Sequence, residues 1–220
     1  MEVSIQELSQ AELPEMATVH LAAFPEGLLT RLGGDVVSRY YNWQLSGVNE
    51  AVAVAARSGG QMLGFALGGI FKDSLNGFFR ANRTLIAAAL LRRPWLLFDP
   101  LLWSRWRLLS TSLRRSRRRN STRVEVIPTP DVQPAARKPP RYVILSIGTH
   151  PRHRRKGVAA QLLTYHENRA RELGHERIWL SVRRSNDGAI SFYQSQGWAP
   201  FPQASTQTTT KMTKVLTTAQ

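Results

Sequence analysis

One glycine in a cation-rich turn between an apolar strand and a helix constrains this fold more than any other stretch. The turn belongs to HPRHRRKGVAAQLL, residues 150–163, and it follows the apolar run YVILSIG. A helix that starts at RKGVAAQLL presents unpaired backbone N–H groups in its first turn, and these groups attract anions. Gly157 and the alanines after it leave room for a ligand, and residues 154–156 add positive charge. The junction therefore predicts a site for a pyrophosphate.

The elements around this junction predict a parallel strand pair. YVILSIG is a continuous apolar strand of the kind that is buried on both faces of a sheet. The helix after the turn ends at Gly174, and RIWLSV follows as a second apolar strand. Strands joined by a helical crossover lie parallel and adjacent. A short helix, NDGAISFYQSQ, and a last strand, TTTKMTKVL, complete this part of the chain.

The N-terminal part predicts an edge strand, two helices and a hairpin. EVSIQEL alternates loosely and indicates the edge strand, and Ser9 with Glu12 has the spacing of a capping box at the first helix. GGDVVSRYYNWQL indicates the second helix. EAVAVAAR and QMLGFALGGIF indicate two strands joined by a tight turn at SGG.

Residues 72–140 differ in composition from the rest and predict an insertion within a single domain that spans residues 1–220. The net charge is +15, and positions 72 to 123 contribute +11 of it, from thirteen cations and two aspartates. Leucines and tryptophans alternate with these arginines, and a proline-rich linker, IPTPDVQPAARKPP, ends the segment.

The sequence allows two interpretations of the insertion, residues 78–119. It could form an amphipathic helix pair at an anionic membrane surface, for which Trp95, Trp103 and Trp106 would suit the headgroup layer. It could instead be a solvated basic helical flap that packs its apolar face on the domain. Nucleic-acid binding is a weaker hypothesis, because no reading motif accompanies the arginines.

Composition also narrows the chemistry and the compartment. The chain has no cysteine, which excludes disulfides and thiolate metal sites, and its five histidines show no metal-ligand spacing, so we expect no metal. The N-terminus has no apolar signal region, and no apolar run is long enough to span a bilayer. We expect a cytoplasmic protein, at most peripheral to the inner membrane face.

Two motifs, separated by one helix and one strand, resemble the GCN5-related N-acetyltransferases (GNAT). Arg154-x-x-Gly157-x-Ala159 looks like the R/Q-x-x-G-x-G/A signature of that family, and WLSVRRSNDGAISFYQSQGW resembles its N-x-x-A-I-x-F-Y-x-x-x-G-F/W block. The resemblance covers residues 3–71 loosely and 141–216 well. It implies an α/β fold with a mixed, mostly antiparallel sheet, whose parallel strand pair splays around acetyl-CoA between flanking helices.

The resemblance further implies the site residues. In the family, the strand before the loop bonds the pantetheine arm through its backbone, the loop amides hold the pyrophosphate, and an asparagine contacts the cofactor. Tyr193 matches the tyrosine that protonates the departing thiolate. A phenol suits this step because the unperturbed pKa values of a phenol and a thiol differ by roughly two units. The residues that match the acetyl-CoA contacts are Ile147, Gly148, Thr149, Arg154, Arg155, Lys156, Gly157, Val158, Ala159, Ala160 and Asn186.

The general base is left open. Ser181 in WLSV stands where similar ribosomal-protein alanine acetyltransferases carry glutamate, and a neutral hydroxyl cannot replace a carboxylate unaided. Glu26, His20 and His150 are alternative candidates, acting directly or through water.

The resemblance implies an N-acetyltransferase that moves an acetyl group from acetyl-CoA to a primary amine by direct attack in a ternary complex. The acceptor would be an amino sugar or glycan precursor, a protein N-terminus or another small amine. HLAAFPEGLLTRLGGDVVSRYY, followed by an arginine-rich insertion, also resembles a group of these acetyltransferases from bacterial surface-glycan synthesis. This resemblance favours an amino-sugar or glycolipid acceptor over a protein N-terminus. The alternative is a non-catalytic module that binds CoA or an anionic surface through the same loop.

Overall fold

The computed structural model describes residues 2–72, 75–98 and 140–216, and within them a seven-stranded sheet carries helices on both faces. The strands are ordered β1-β2-β3-β4-β5-β7-β6 across the sheet. They are β1 (Ser4–Glu7), β2 (Glu50–Ser58), β3 (Gln61–Ile70), β4 (Tyr142–Thr149), β5 (Arg177–Arg183), β6 (Ala199–Pro200) and β7 (Thr209–Val215).

Five helices precede β4 and two follow it in the described residues. They are α1 (Leu13–Ala23), α2 (Leu28–Leu32), α3 (Gly34–Leu45), α4 (Leu75–Ala81), α5 (Arg83–Arg92), α6 (Val158–Glu172) and α7 (Asp187–Ser195). Helices α1 and α3 bury their apolar residues on one face of the sheet, and α6 packs on the other face. Short 3-10 turns at Gln10–Glu12, Pro94–Phe98, Pro151–His153 and Pro202–Ala204 complete the elements.

The N-terminal elements form where the sequence predicts them. The Glu12 carboxylate accepts hydrogen bonds from the Ser9 backbone N–H and hydroxyl, at 2.9 and 2.7 Å, as the capping-box spacing requires. Strands β2 and β3 form an antiparallel hairpin. Its turn is made by Gly59 and Gly60, whose φ angles of +56° and +80° suit glycine.

The predicted parallel pair is β4 and β5, and the two strands separate after three residues. Tyr142 to Ile144 pair with Ile178 to Leu180, after which β5 continues along β7 alone. Opposite β3 the register shifts, so that Leu145 is an extra, bulged residue on β4. Leu145 is 40% exposed, so the prediction that this strand is buried on both faces is wrong at the bulge. Leu145 is exposed because it bulges out of the pairing with β3 and because β5 has already separated from β4 at this point.

The described part of the insertion, up to residue 98, leaves from the end of β3 and packs on the α1 and α3 layer. Phe78 of α4 is fully buried and contacts the rings of Tyr40 and Trp43 edge-on. Residues 99–139, which include Trp103 and Trp106, lie outside the described residues, and Trp95 is 65% exposed. The insertion joins strand ends opposite the cation-rich turn, because Gly69 pairs with Val143 while Gly64 pairs with Thr149.

Candidate active site

The separation of β4 from β5 opens a wedge in the middle of the sheet. Beyond Ile144 the edge of β4 that faces β5 has no strand partner in the described fold, so its backbone groups are available to an extended ligand. Ile147, Gly148 and Thr149, predicted to contact the pantetheine arm, all lie on this edge. The hydroxyl oxygen of Thr149 is buried without a hydrogen-bond partner, which is costly unless a ligand supplies one. The wedge therefore fits the long, amide-containing arm of CoA.

The cation-rich turn lies at the mouth of this wedge. Gly157 has φ +77° and precedes the first residue of α6, and Arg155 also has a positive φ, +59°. No side chain caps the helix start at Gly157, so the N–H groups of its first turn stay available. A Cβ atom added to Gly157 would meet nothing within 4 Å, which leaves space for a phosphate beside the backbone. Arg155 and Lys156 are exposed.

Two residues of the turn have additional contacts within the protein. The Arg154 guanidinium donates to the carbonyl of Ala23, at the end of α1, at 3.3 Å. Val158 is buried and packs under Gly64, so it can offer a ligand only its backbone. Ala159 and Ala160 are half-buried in the first turn of α6. The turn is therefore anchored to the domain while its amides and cations face outward.

Helix α7 carries the two predicted residues from the second motif. The Asn186 side-chain oxygen accepts from the Ala189 N–H at 3.1 Å and so caps the helix, which leaves its amide N–H groups for another partner. Tyr193 is 8% exposed and belongs to the apolar cluster against which Ile147 of β4 packs. Burial raises the pKa of Tyr193 to about 12, so the phenol is protonated at neutral pH.

The structure separates the candidate bases. Ser181 is exposed on β5, just beyond the last residue paired with β4. Glu26 is exposed between α1 and α2. His150 stands at the cofactor turn, where its ring accepts from the Arg152 N–H at 3.3 Å. His20 is buried, and burial lowers its pKa to about 4.

A buried polar chain connects His20 to the wedge, and we did not predict it from the sequence. The Tyr41 hydroxyl lies 2.7 Å from His20 Nδ1 and 3.0 Å from the Ser146 hydroxyl. Tyr41 is fully buried on α3, and Ser146 is half-buried on β4 between the bulged Leu145 and Ile147. The only local signals were His20 among the buried residues of α1 and Ser146 within the apolar run of β4.

Helix α1 packs tightly against β4 at this point. A Cβ atom on Gly148 would lie 3.0 Å from the Phe24 ring and 3.1 Å from Ala23, so glycine allows the close approach. Phe24 also contacts the rings of His20 and Phe65. The end of α1, the splayed part of β4 and the polar chain therefore form one packed unit.

The described residues contain neither a metal-ligating cluster nor a helix that could span a membrane. No group of three or more His, Cys, Asp or Glu side chains there could hold a metal ion. None of the helices in the same ranges is both long and apolar enough to cross a membrane.

Comparisons with known proteins agree with this fold. Residues 107–198 match the model of the Acetyltransferase (GNAT) family. No curated protein matches the chain by sequence. Many solved structures share its fold at low sequence identity.

Three of these structures illustrate the likeness. The ribosomal-protein-S18-alanine N-acetyltransferase of Escherichia coli is 14% identical, with a TM-score of 0.56 over 100% of this chain and 97% of that chain. The PaiA N-acetyltransferase of Thermoplasma acidophilum, in complex with coenzyme A, is 13% identical, with a TM-score of 0.58 over 98% and 99%. A histone acetyltransferase HPA2 and related acetyltransferase from Corynebacterium glutamicum is 17% identical, with a TM-score of 0.55 over 100% and 99%.

Proposed function

We propose that this chain is a GNAT acyltransferase that transfers the acetyl group of acetyl-CoA to a primary amine in a ternary complex. The observation that carries the proposal is the wedge between β4 and β5, with the uncapped start of α6 at its mouth. A strand edge without a partner suits an extended amide chain, and an uncapped helix start suits a pyrophosphate. CoA contains both an extended amide chain and a pyrophosphate.

The cofactor would be held mainly by backbone groups. The β4 edge at Ile147, Gly148 and Thr149 would bond the pantetheine arm, and the Thr149 hydroxyl would gain the partner that it lacks. The N–H groups of residues 155–160 would hold the pyrophosphate, with Arg155 and Lys156 adding charge. Asn186 would use its free amide N–H groups. Bound in this way, acetyl-CoA supplies an activated thioester.

Tyr193 would act as the general acid. The amine nitrogen attacks the thioester carbonyl, the carbon–sulfur bond breaks, and the thiolate takes a proton. The buried Tyr193 phenol, with its pKa raised to about 12, holds that proton at every pH at which the reaction would be assayed. Tyr193 belongs to the apolar cluster against which Ile147 packs, which supports a position on the cofactor side of the wedge.

The insertion would shape the acceptor side. The Arg93 guanidinium, at the end of α5, donates to the Arg31 carbonyl of α2 at 2.7 Å and lies over Gly33. The segment that contains α2, residues 24–33, follows the end of α1 that packs on Gly148. Arg93 therefore ties the insertion to a segment next to the wedge. This supports the interpretation of the insertion, up to residue 98, as a flap that helps to hold the acceptor.

The test is calorimetric titration with acetyl-CoA, followed by thioester consumption with a panel of amines. The panel contains glucosamine-type amino sugars, peptides with a free N-terminus and polyamines. Saturable binding with turnover of at least one amine supports the enzyme. Binding without turnover of any amine would favour the alternative, a CoA-binding module. Absence of binding would contradict both.

A specific observation keeps a peripheral membrane contact as a second proposal. Leu91, Trp95 and Phe98 are 82, 65 and 85% exposed, and Arg92 lies among them. Such a cluster suits an anionic lipid interface. Sedimentation with anionic and with neutral liposomes at two salt concentrations tests it. Binding that weakens with salt without vanishing supports membrane insertion, and no binding at low salt refutes it.

A further inference from the structure

The polar chain from His20 through Tyr41 to Ser146 crosses an otherwise apolar layer. Its surroundings are the rings of Phe24, Phe65 and Tyr40, and the Tyr41 hydroxyl is wholly buried among them. Apolar residues at these positions would pack without the cost of burying polar groups. A three-member chain that ends at the wedge therefore has a role that packing does not explain.

The protonation states give the chain a direction. Burial disfavours the charged form of His20 and lowers its pKa to about 4, so its ring is neutral and one nitrogen accepts a hydrogen bond. Burial raises the pKa of Tyr41 well above its ordinary value, so Tyr41 keeps its proton. When Nδ1 is the accepting nitrogen, Tyr41 donates to His20 and Ser146 donates to Tyr41. The Ser146 oxygen then has lone pairs left for a group outside the chain.

Ser146 stands at the right place for such a group to be the acceptor amine. It lies two residues beyond the last β4 residue that pairs with β5, and one residue before Ile147. Its side chain points to the α1 and α3 layer, whereas Ile147 packs on the opposite, α6 side. A thioester held along the β4 edge would therefore pass beside Ser146 on the face opposite to the α6 packing.

We propose that Ser146 is a catalytic residue that accepts a hydrogen bond from the attacking amine, and that Tyr41 and His20 position it and receive the proton. The inference rests on the proposed function. As the nitrogen bonds to the carbonyl carbon and the carbon–sulfur bond breaks, the amine proton moves to Ser146. The Ser146 proton moves to Tyr41, and the Tyr41 proton moves to His20 Nδ1. The thiolate takes its proton from Tyr193, and solvent later returns the His20 proton to Tyr193.

This relay would explain how the chain works with serine at position 181. A nitrogen that becomes an amide nitrogen loses its basicity, so a weak base suffices to remove its proton. The relay uses neutral groups throughout the ground state and needs no buried carboxylate. His20 is buried and cannot contact the substrate itself. The relay allows it to receive the proton because Ser146 provides the contact with the substrate.

The decisive variants remove one hydroxyl each. We expect Ser146→Ala and Tyr41→Phe each to lower kcat by about 10²-fold on the amine that the wild type acetylates fastest, with acetyl-CoA affinity unchanged. Because the two groups act through one chain, the double variant should lose about 10²-fold as well, instead of 10⁴-fold. Ser146→Thr retains the hydroxyl and should recover most of the activity. Ser38→Ala, which removes a hydroxyl from the same helix as Tyr41, is the matched control and should retain wild-type kcat.

The outcomes are distinct. Wild-type turnover with unchanged kcat in Ser146→Ala overturns this inference and leaves the proposed function standing. Multiplicative losses in the double variant overturn the relay, since they show that Tyr41 and Ser146 act independently. A wild type that binds acetyl-CoA and acetylates no amine refutes the proposed function, and the inference with it. If Tyr41→Phe fails to fold, Ser146→Ala and Ser146→Thr decide by themselves.

Discussion

Gly157 and Gly174, at the two ends of α6, have nearly the same positive φ, and this allows a controlled test of the cation-rich turn. Gly157 has φ +77° and Gly174 has φ +76°, and a Cβ atom would meet nothing within 4 Å at either position. Gly157→Val and Gly174→Val should therefore lose similar stability, about 2 kcal/mol each, from backbone strain. Gly157→Val alone should weaken acetyl-CoA binding strongly, because it obstructs the approach of the phosphates. Equal affinities in titration calorimetry would remove Gly157 from the cofactor site.

The role of Tyr193 is testable in the same way. Tyr193→Phe preserves the ring that packs in the apolar cluster with Trp198 and removes only the acidic proton. We expect turnover to fall by roughly 10²-fold or more, with acetyl-CoA affinity nearly unchanged. Because burial raises the pKa of Tyr193 to about 12, its ionisation should not produce a loss of activity below about pH 11. Undiminished turnover in Tyr193→Phe would assign the residue to packing.

At the scale of elements, Glu167 ties α6 to the C-terminal strands. Its carboxylate is buried, accepts from the Trp198 indole N–H at 3.1 Å and pairs with Lys214 Nζ of β7 at 2.7 Å. Glu167→Gln keeps an acceptor for Trp198 and leaves Lys214 unpaired, so we expect a loss of about 2 kcal/mol in urea unfolding. Glu172→Gln on the same helix breaks an exposed pair with Arg169 and should cost under about 0.5 kcal/mol. Equal losses would mean that Glu167 contributes no more than a surface charge.

The elements themselves could be predicted because their signals are local. The capping box at Ser9, the hairpin at Gly59 and Gly60 and the start of α6 at Gly157 each depend on a few adjacent residues. The bulge at Leu145 could not be predicted in this way. It depends on the register between β3 and β4. At the shift, Gly68 of β3 lies against His166, whose ring would be 2.6 Å from a Cβ at that position, so glycine allows the close approach. Contacts of this kind join residues that are far apart in the chain.

At the scale of the molecule, the contrast between local signals and distant contacts also separates the cation-rich turn, which we predicted, from the polar chain, which we did not. Most of the predicted cofactor residues follow one another around the cation-rich turn, so a short motif was enough to predict them. The polar chain joins His20, Tyr41 and Ser146, which are 21 and 105 positions apart, and only the folded layers bring them together. The burial of Phe78 could not be predicted either, because the arginines around it dominate the local composition.

Buried histidines on both faces of the sheet make the stability of the whole molecule sensitive to acid. His20 lies under α3, and His166 of α6 is fully buried with its Nδ1 2.8 Å from the Tyr142 hydroxyl. Burial lowers the pKa of each to about 4 in the fold, against 6.5 in an unfolded chain. Between these values the unfolded chain binds more protons than the folded one, so stability rises with pH and is lost as pH falls from about 6.5 to 4.

The expected loss between pH 7 and pH 5 is about 2 kcal/mol for each of these histidines. Urea unfolding at the two pH values measures the sum, and proton NMR of the His20 and His166 ring resonances should show both rings neutral down to about pH 4. His20→Gln should remove about half of the pH dependence, because one of the two titrating groups is gone, whereas the effect of His166 persists. A free energy of unfolding that stays constant from pH 7 to pH 5 would mean that both rings can be protonated without unfolding, and that water reaches them inside the two helical layers.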